Sequence, residues 1–484
     1  MHTFVNHRKA LLTVSAFTCV GLLAIWAACL AGCSPEAEPT PPRATVEPAP
    51  DLNVLLITSD AMRADRLGEY GNDRDTSPAL DALAAGGVLF ESAMAQRGET
   101  WPSLASLMTS QYPVEHGIRR NGDTAPFPPD TVPLVEHLKA HGYATAAALA
   151  NCTHAGNQFD DRFPHQGDDL AVTRSAVRWL NRKKDSRFFL WLHYFKPHYP
   201  FTPPPGYENM FVDPEYKGDI AGDSKQLMSV MLGLRPFSEE DRIQVGALYD
   251  ANVRFVNDQV SRVLAEVEKL GLAKNTLVVF SADHGECLYD RQDYFFHSAA
   301  THESVLHIPL IFGGAGVPQQ GVRVPGVVES IDIAPTILEI LGLPAPDSFS
   351  GTSLAPAFRG EKLELGPAFS EHTDLMLSIR TDTHRFVWNP TEHTIRIVTP
   401  RQRERQGLPL DVEAFYAVEK EELFATPGDP KERHNLVAEQ PELADELRRQ
   451  LLEWKKAYSW ELLGAKQQEI PEEIANQLEA MGYL

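Results

Sequence analysis

Short, continuous runs of hydrophobic residues alternate with amphipathic stretches over most of this chain. The runs have the length of β-strands and no polar face, which is typical of strands buried on both sides in a parallel sheet. They occupy residues 53–59, 144–151, 187–195, 276–282 and 307–314. Amphipathic helices that end at or near a glycine are predicted at residues 77–87, 132–142 and 249–271. The alternation predicts a doubly wound α/β sheet that is mostly parallel.

The pattern changes in the last quarter of the chain. Short antiparallel strands are predicted within residues 378–389 and 393–400, and an amphipathic helix is predicted at 441–458. We therefore expect a large α/β catalytic domain over residues 51–365 and a small C-terminal α+β subdomain over residues 366–484.

The N-terminus has the features of a secretory signal. Arg8 and Lys9 precede an almost wholly apolar segment at residues 11–32 that ends in small residues. The sequence LAGC, which ends at Cys33, resembles the bacterial lipobox, and this implies that Cys33 is lipidated and becomes the first mature residue. The alternative is an uncleaved membrane helix, because residues 11–32 are long enough to span a bilayer.

The lipoprotein interpretation predicts where the protein works. We expect a signal peptide over residues 1–32 and a Pro-rich tether over residues 33–50. The protein would then be lipid-anchored to a membrane of the cell envelope, on its periplasmic or extracellular face.

The composition excludes two classes of protein. The chain has 66 Asp and Glu against 44 Lys and Arg, which argues against nucleic acid as a partner. After Cys33 the only cysteines are Cys152 and Cys287, too few for a disulfide scaffold. These two could pair with each other or remain thiols.

Polar side chains stand where predicted strands end. Asp60 follows the first strand, His193 and His198 lie at the end of the strand at 187–195, and Asp283 and His284 follow the strand at 276–282. Taken singly, an Asp after a strand is more often a helix cap than a ligand. A His in a Pro-rich loop is more often a surface residue. Doubly wound sheets bind ligands at the carboxyl ends of their strands. Together, these residues predict a site that binds a metal or performs acid–base chemistry.

Thr100 stands two residues before Pro102. Because proline favours the first turn of a helix, Thr100 is predicted to be the N-cap of a helix through residues 104–109. That helix end concentrates N–H groups and positive partial charge, so the hydroxyl could face a phosphate or sulfate group. From this segment alone, a simple cap is the better supported interpretation. Residues 202–240, rich in Pro, Gly and acids, predict a long loop near the mouth of the site.

Several segments, in this order, resemble the sulfatase family of the alkaline phosphatase superfamily. They are NVLLITSDAMRADRLGEYG (53–71), TWPSLASLMTSQYPVEHG (100–117), LHYFKPHYPF (192–201), NTLVVFSADHGE (275–286) and HSAATHESVLHIPLIF (297–312). The resemblance covers nearly all of residues 52–484. It implies a sulfatase-like α/β sandwich with one divalent metal ion at the carboxyl edge of a mostly parallel sheet.

The resemblance also implies a metal-binding set. Asp60, Asp283 and His284 match metal ligands of the family. Thr100 matches the nucleophile, which also contacts the metal. Oxygen-dominated ligands suit Mg, Ca or Mn, whereas His284 also allows Zn, so the identity of the metal stays open.

Further residues match positions around the transferred group. His198 and His297 match catalytic positions that hold the transferred anion or assist the leaving group. His193 and Lys196 are neighbouring candidates for substrate binding. Arg63 belongs to a familiar motif, where a salt bridge that supports the site is the expected role.

Three positions depart from the family pattern. The motif Cys or Ser, any residue, Pro, Ser, Arg here runs from Thr100 to Leu104, so the arginine is absent. The usual Asp pair is reduced to Asp60-Ala61, which removes one ligand position. His297 stands where many sulfatases carry lysine.

Thr100 changes the chemistry that the resemblance implies. Sulfatases oxidise their Cys or Ser to formylglycine, whose hydrate has two hydroxyls, one that attacks and one that helps to expel sulfate. Oxidised threonine would be a ketone, so no formylglycine is expected, and a sulfated threonine would need attack at sulfur. A phosphorylated threonine can be opened by in-line attack on phosphorus. Thr100 therefore favours phosphorus esters without excluding an atypical sulfatase.

We therefore expect an envelope-anchored, metal-dependent hydrolase that cleaves phosphate-type or sulfate esters of a small molecule, glycan or lipid through Thr100. One alternative is a transferase that passes a phosphoryl or head group to a glycan or lipid. The other is a degenerate, non-catalytic binding protein. The missing arginine and Ala61 favour it, and six retained residues oppose it: Asp60, Thr100, His198, Asp283, His284 and His297.

Overall fold

The computed structural model describes residues 49–289, 291, 294–297, 301–318, 320–372, 376–392 and 394–458. The predicted signal peptide, the tether up to residue 48 and residues 459–484 lie outside these ranges. Within them, no helix combines the length and the apolar character that crossing a membrane would require.

Among the described residues, the main sheet has eight strands. The strands from β1 to β10, of which β7 and β8 form a separate ribbon, are β1 (Asn53–Ser59), β2 (Val88–Met94), β3 (Ala144–Leu149), β4 (Asp161–Pro164), β5 (Phe188–Tyr194), β6 (Thr276–Ala282), β7 (Cys287–Leu288), β8 (Phe295–Phe296), β9 (His307–Gly314) and β10 (Val322–Glu329). Their order across the sheet is β10-β2-β9-β6-β1-β5-β3-β4. Every residue of β1, β5 and β6 is buried, as expected for apolar strands covered on both faces.

The direction of one predicted strand was wrong. The strands expected at 53–59, 144–151, 187–195 and 276–282 are present as β1, β3, β5 and β6, with parallel neighbours. The run at 307–314 is also a buried strand, β9, but it runs antiparallel to β2 and β6. The chain leaves β6 at the carboxyl edge and enters β9 from that same edge, whereas a parallel strand would require a crossover to the opposite edge.

Three strands of the main sheet, β2, β4 and β10, were not predicted. β10 contains Pro325 and Gly326, and its register with β2 shifts between Val324 and Val327. Proline and glycine are depleted in central strands but tolerated at edges and bulges. β10 lies at one edge of the sheet, so its sequence lacks the continuous apolar pattern by which the central strands are recognised.

The described helices are α1 (Pro78–Ala85), α2 (Thr100–Thr109), α3 (Pro113–His116), α4 (Leu134–Ala140), α5 (Asp169–Lys183), α6 (Ser224–Met231), α7 (Glu239–Lys269), α8 (Glu303–Leu306), α9 (Ile333–Ile340), α10 (Ala355–Phe358), α11 (Pro400–Arg405) and α12 (Pro441–Ala457). Helix α7 begins well before the predicted residue 249. Ser238 and Asp241 form a capping box at its start, with N–H to side-chain distances of 2.9 and 3.1 Å. The loop predicted over residues 202–240 is interrupted by α6.

A separate antiparallel sheet lies in the C-terminal part of the chain, in the order β11-β12-β13-β16. The remaining strands are β11 (Ala368–His372), β12 (Met376–Arg380), β13 (Arg385–Trp388), β14 (Thr394–Arg396), β15 (Phe415–Ala417) and β16 (Glu421–Phe424). Leu451 and Trp454 of α12 share a hydrophobic core with Leu377 and Phe386 of this sheet. The predicted antiparallel strands and C-terminal helix are present, and the domain boundary at residue 365 stays a prediction.

Buried ion pairs connect this small sheet with the segment between β6 and β9. Glu303 Oε2 lies 2.6 Å from Arg385 Nη2 and 3.1 Å from Arg380 Nε. The Nε of Arg385 lies 2.9 Å from Glu432 Oε1. Burial alone would raise the pKa of Glu303, but Arg385 and Arg380 outweigh it and hold that pKa below its ordinary value. Removing one member of such a network leaves buried charge without compensation.

Replacing Arg385 by methionine should therefore destabilise the protein strongly. Glu303 and Glu432 would lose a buried counter-charge, at a cost of about 3–5 kcal/mol in the free energy of unfolding. The matched change Arg396→Met removes a half-exposed pair with Glu413 and should cost about 0–1 kcal/mol. Urea unfolding followed by tryptophan fluorescence measures both, and equal losses would contradict the ion-pair interpretation.

Candidate active site

The register of neighbouring parallel strands brings the predicted site residues together. β1 pairs with β6 so that Ser59 lies beside Ala282. The residues that follow, Asp60 and Asp283, therefore emerge side by side at the carboxyl edge of the sheet. β5 is the other neighbour of β1, and it brings His193 to the same edge.

Five buried side chains surround one point at this edge. His284 Nε2 lies 3.5 Å from Asp60 Oδ1 and 3.6 Å from Asp283 Oδ2. Thr100 Oγ1 lies 3.5 Å from the same His284 nitrogen. His193 Nε2 lies 4.0 Å from Asp283 Oδ2. The predicted metal ligands and the predicted nucleophile thus lie in one water-poor cluster, none more than 1% exposed.

Each carboxylate has one oxygen held by the protein and one that faces the other carboxylate. Asp283 Oδ1 accepts hydrogen bonds from the N–H groups of Ala61 and His284, at 3.0 and 2.8 Å. Asp60 Oδ2 accepts a hydrogen bond from the side-chain amide of Asn151. Asn151 was not identified as a site residue from the sequence. The other two oxygens, Asp60 Oδ1 and Asp283 Oδ2, have no hydrogen-bond partner among the described residues. Leaving such atoms unpaired at full burial costs free energy, so their arrangement indicates a ligand.

The arrangement fits a divalent cation. One ligand atom each from Asp60, His193 and Asp283 lie within 4.8 Å of one another. Burial raises the pKa of Asp60 well above its ordinary value, and the charge of Asp283 adds to the effect. Burial lowers the pKa of His193 to about 4, so its imidazole is neutral and has a lone pair to share. A cation would offset the repulsion between the carboxylates and accept that lone pair.

Thr100 is the first residue of α2 and not its cap. Glu99 holds the N-cap position, so the predicted N-cap was wrong by one residue. Glu99 Oε2 accepts a hydrogen bond of 3.1 Å from the N–H of Asn121, which orders the turn before the helix. Thr100 thereby lies where the positive end of the helix dipole meets His284.

The turn that carries Thr100 is tied to the C-terminal sheet. Arg97 is fully buried and bridges Glu99, at 3.0 Å, and Glu371 of β11, at 3.5 Å. Arg119 Nε lies 3.0 Å from the same Glu371 oxygen. Sequence reasoning missed Arg97, because its partner Glu371 is remote in the chain.

Of the two predicted catalytic histidines, His297 lies beside His284 and His198 lies beside His297. The ring centroid of His297 lies 4.2 Å from that of His284 and 4.8 Å from that of His198. Glu286, also missed from the sequence, places Oε1 3.0 Å from His297 Nδ1 and accepts the N–H of Tyr199 on Oε2. Burial lowers the pKa of His198 to about 3 and that of His297 well below its ordinary value. Both are therefore neutral imidazoles inside the site.

Lys196 and Arg63 lie at the periphery of the cluster. The ammonium of Lys196 donates to the carbonyl oxygens of Pro200 and Thr202, at 3.3 and 3.0 Å, so it holds the loop after β5. Burial lowers the pKa of Lys196 to about 8. Arg63 pairs with Asp65 at 2.7 Å, as a supporting role requires.

Cys152 and Cys287 are buried thiols. The Sγ of Cys152 lies 3.7 Å from His154 Nε2, and that of Cys287 lies 3.6 Å from Ser304 Oγ. Burial raises the pKa of the Cys152 thiol well above its ordinary value. The sequence left open whether Cys152 and Cys287 form a disulfide or remain thiols, and in the structure both are thiols.

This sheet, with its charged cluster at the carboxyl edge, is that of an alkaline-phosphatase-like α/β protein. The sulfatase family model matches residues 52–343, more than half of the chain, and the chain therefore belongs to the sulfatase family.

Three relatives illustrate how far this chain has diverged in sequence. An ulvan-active sulfatase of Formosa agariphila is 25% identical over 359 residues, which cover 66% of this chain and 65% of that protein. A Delta 4,5-hexuronate-2-O-sulfatase of Bacteroides thetaiotaomicron is 24% identical over 424 residues, 80% of this chain and 84% of that protein. The phosphonate monoester hydrolase of Agrobacterium radiobacter superposes with a TM-score of 0.65 at 20% identity, over 84% of this chain and 96% of that chain. The structural similarity shows the same fold.

Asp283→Asn should stabilise the metal-free protein and remove its response to metals. The amide oxygen can still accept the N–H groups of Ala61 and His284, while a buried negative charge beside Asp60 disappears. In EDTA the melting temperature should rise by about 2–6 °C, whereas added Zn²⁺ or Mn²⁺ should raise that of the unaltered protein only.

Asp258→Asn provides the matched control for this thermal denaturation experiment. Its carboxylate pairs with Arg254 within α7, away from the cluster, and the variant should keep the response to metals. A metal response of Asp283→Asn equal to that of the control would contradict the proposed ligand set.

Proposed function

We propose that this chain is a metal-dependent hydrolase that cleaves phosphate-type or sulfate esters, with Thr100 as the nucleophile. One observation carries the proposal. The Thr100 hydroxyl, at the head of α2, lies 3.5 Å from His284 Nε2, and the same nitrogen lies 3.5 and 3.6 Å from oxygens of Asp60 and Asp283. A hydroxyl, an imidazole and two carboxylates at one buried point are the parts of a metal-assisted nucleophile.

Asp60, Asp283, His284 and Thr100 would hold the cation in this proposal. When bound, a divalent cation neutralises charge on the ester oxygens and lowers the pKa of the attacking hydroxyl. The chain adds its own stabilisation through the positive end of the α2 dipole, which lies beside Thr100, whereas the N–H groups of Trp101 and Ser103 already donate to Asn121 and Glu99.

The proposed reaction has two displacements at phosphorus. Thr100 Oγ1 attacks, the bond to the leaving oxygen breaks, and the proton of Thr100 is transferred overall to that oxygen. We assign the relay of this proton to His297, whose ring stacks on that of His284, and to His198, which lies beside His297. Water then attacks phosphorus and releases Thr100 with its proton restored. At sulfur, the single hydroxyl of threonine makes the second step harder.

The substrate class follows from the same chemistry and from the relatives. Their names include an ulvan-active sulfatase, a hexuronate sulfatase and a phosphonate monoester hydrolase. We propose an ester of a glycan or a small molecule, with phosphorus preferred over sulfur because of Thr100. Transfer to a glycan or lipid acceptor would use the same first displacement, and a non-catalytic protein would have no need of the cluster around His284.

The ester preference can be measured on nitrophenyl sulfate, phosphate, phosphate diester and phosphonate, with Mg, Mn, Ca and Zn in turn. We expect metal-dependent turnover of a phosphorus ester. Thr100→Ala should lower kcat by about 10²–10⁴-fold, because the nucleophile is lost.

Thr109→Ala, at the other end of α2, is the matched control for that assay. Its kcat should stay within about threefold of that of the unaltered protein. Turnover of sulfate alone would refute the phosphorus preference. Unchanged turnover by Thr100→Ala would refute its role as nucleophile.

We also propose that Cys33 anchors the protein to the cell envelope, which rests on the resemblance to the lipobox. Cells grown with radiolabelled palmitate should incorporate label into the protein and retain it in the membrane fraction. Cys33→Ala should lose the label, whereas Cys29→Ala should keep it. Label in both variants would refute lipidation at Cys33.

A further inference from the structure

Ala61 leaves the site one carboxylate short of the family ligand set. Its backbone turns through a positive φ of 58°. Its N–H donates to Asp283 Oδ1 at 3.0 Å, and its carbonyl accepts the hydroxyl of Tyr249 at 2.6 Å. Both main-chain groups therefore hold the cluster in place, and the methyl side chain offers no ligand.

His193 lies close enough to supply the missing donor. It is fully buried, and its Nε2 lies 4.0 Å from Asp283 Oδ2. In the part of the chain that the structure describes, this nitrogen has no hydrogen-bond partner. An imidazole nitrogen buried without a partner costs free energy unless a ligand occupies the space that it faces.

Thr58 orients the His193 ring for this purpose. Its hydroxyl accepts the indole N–H of Trp191 at 3.0 Å and lies 3.3 Å from the carbonyl of Leu192. A hydroxyl has one proton, and donating it to Leu192 leaves its second lone pair for the Nδ1–H of His193, at 2.8 Å. The indole N–H of Trp191, the carbonyl of Leu192 and the Nδ1–H of His193 then each have a partner in the Thr58 hydroxyl. With this assignment the proton of His193 is on Nδ1, and Nε2 has a lone pair on the side of Asp283.

The separations of His284 from both carboxylates and of His193 from Asp283 are each compatible with a shared ion. Two atoms bound to the same ion at about 2.0–2.3 Å lie about 3–4.5 Å apart, depending on the angle between them. His284 Nε2 lies 3.5 and 3.6 Å from the oxygens of Asp60 and Asp283, and His193 Nε2 lies 4.0 Å from the latter. All three separations fall in that range.

We infer that His193 is a direct ligand of the divalent cation, in place of the carboxylate that Ala61 lacks, and that the site therefore prefers Zn²⁺ or Co²⁺ to Ca²⁺ and Mg²⁺. This inference rests on the metal site of the proposed function. It gives His193 a role in metal binding rather than in substrate binding.

The preference follows from the donor atoms. Asp60 and Asp283 supply oxygens, His193 and His284 supply imidazole nitrogens, and Thr100 supplies a hydroxyl. Ca²⁺ takes about six to eight oxygen ligands, and Mg²⁺ keeps several waters in an octahedral shell. Two nitrogens in a buried site of few donors suit Zn²⁺ and Co²⁺ better.

The test is metal binding by the full-length chain, purified in detergent and stripped with a chelator. Equilibrium dialysis gives the dissociation constants for Zn²⁺, Co²⁺, Ca²⁺ and Mg²⁺, and the visible absorption of bound Co²⁺ reports its ligands. The variants are His193→Ala, His193→Gln and His193→Asp, each checked for folding by circular dichroism. His141→Asn, a histidine between α4 and β3 at the opposite edge of the sheet, is the control.

The unaltered protein and His141→Asn should bind Zn²⁺ at least tenfold more tightly than Ca²⁺. His193→Ala and His193→Gln should weaken Zn²⁺ binding by about 10–100-fold and change the Co²⁺ spectrum. His193→Asp should restore the lost carboxylate and lower the ratio of Zn²⁺ to Ca²⁺ affinity by at least tenfold.

Two results would overturn the inference, and they can be distinguished. If Asp283→Asn abolishes Zn²⁺ binding while folded His193→Ala or His193→Gln keeps the affinity and Co²⁺ spectrum of the unaltered protein, His193 is not a ligand and the proposed metal site stands. If the unaltered protein binds none of the four metals, the metal site and the role of His193 both fail.

Discussion

The repulsion between two buried carboxylates is the constraint around which the site is arranged. Asp60 and Asp283 are brought side by side because β1 and β6 are adjacent, parallel and in register. The main chain of Ala61 and the amide of Asn151 each hold one carboxylate oxygen, which leaves the other oxygens directed at a common point. Burial and the charge of Asp283 raise the pKa of Asp60 well above its ordinary value, and a cation at this point would offset the repulsion, so the arrangement fits a cation.

The central strands of the main sheet and the meeting of Asp60 and Asp283 at its edge could be predicted from the sequence. Continuous apolar runs identify central strands, because only strands covered on both faces lack polar positions. Once β1 and β6 are recognised as strands of one parallel sheet, Asp60 and Asp283 must leave it at the same edge. The location of the proposed metal site therefore follows from strand ends alone, before any distance is known.

Other features depend on contacts that no local pattern encodes. The direction of β9 is set by a connection that stays at one edge of the sheet. Helix α2 begins one residue earlier than predicted, and its N-cap residue Glu99 accepts a hydrogen bond from Asn121, a contact that no local pattern reveals. The relation of His193 to the carboxylates depends on which strand lies next to β1, and the sequence leaves strand order open. Glu286 becomes informative only when His297 is placed beside it.

The ion pairs that join the C-terminal sheet to the rest of the molecule limit the order in which the chain can fold. Arg97 and Glu303 are synthesised early, whereas their partners Glu371, Arg380 and Arg385 are synthesised late. A chain that emerges from the ribosome N-terminus first has to keep the early arginine and carboxylate hydrated until the later strands arrive. The turn that carries Thr100 can therefore reach its final contacts only after residue 371 has been synthesised, so its folding depends on a strand that lies more than 250 residues later in the chain.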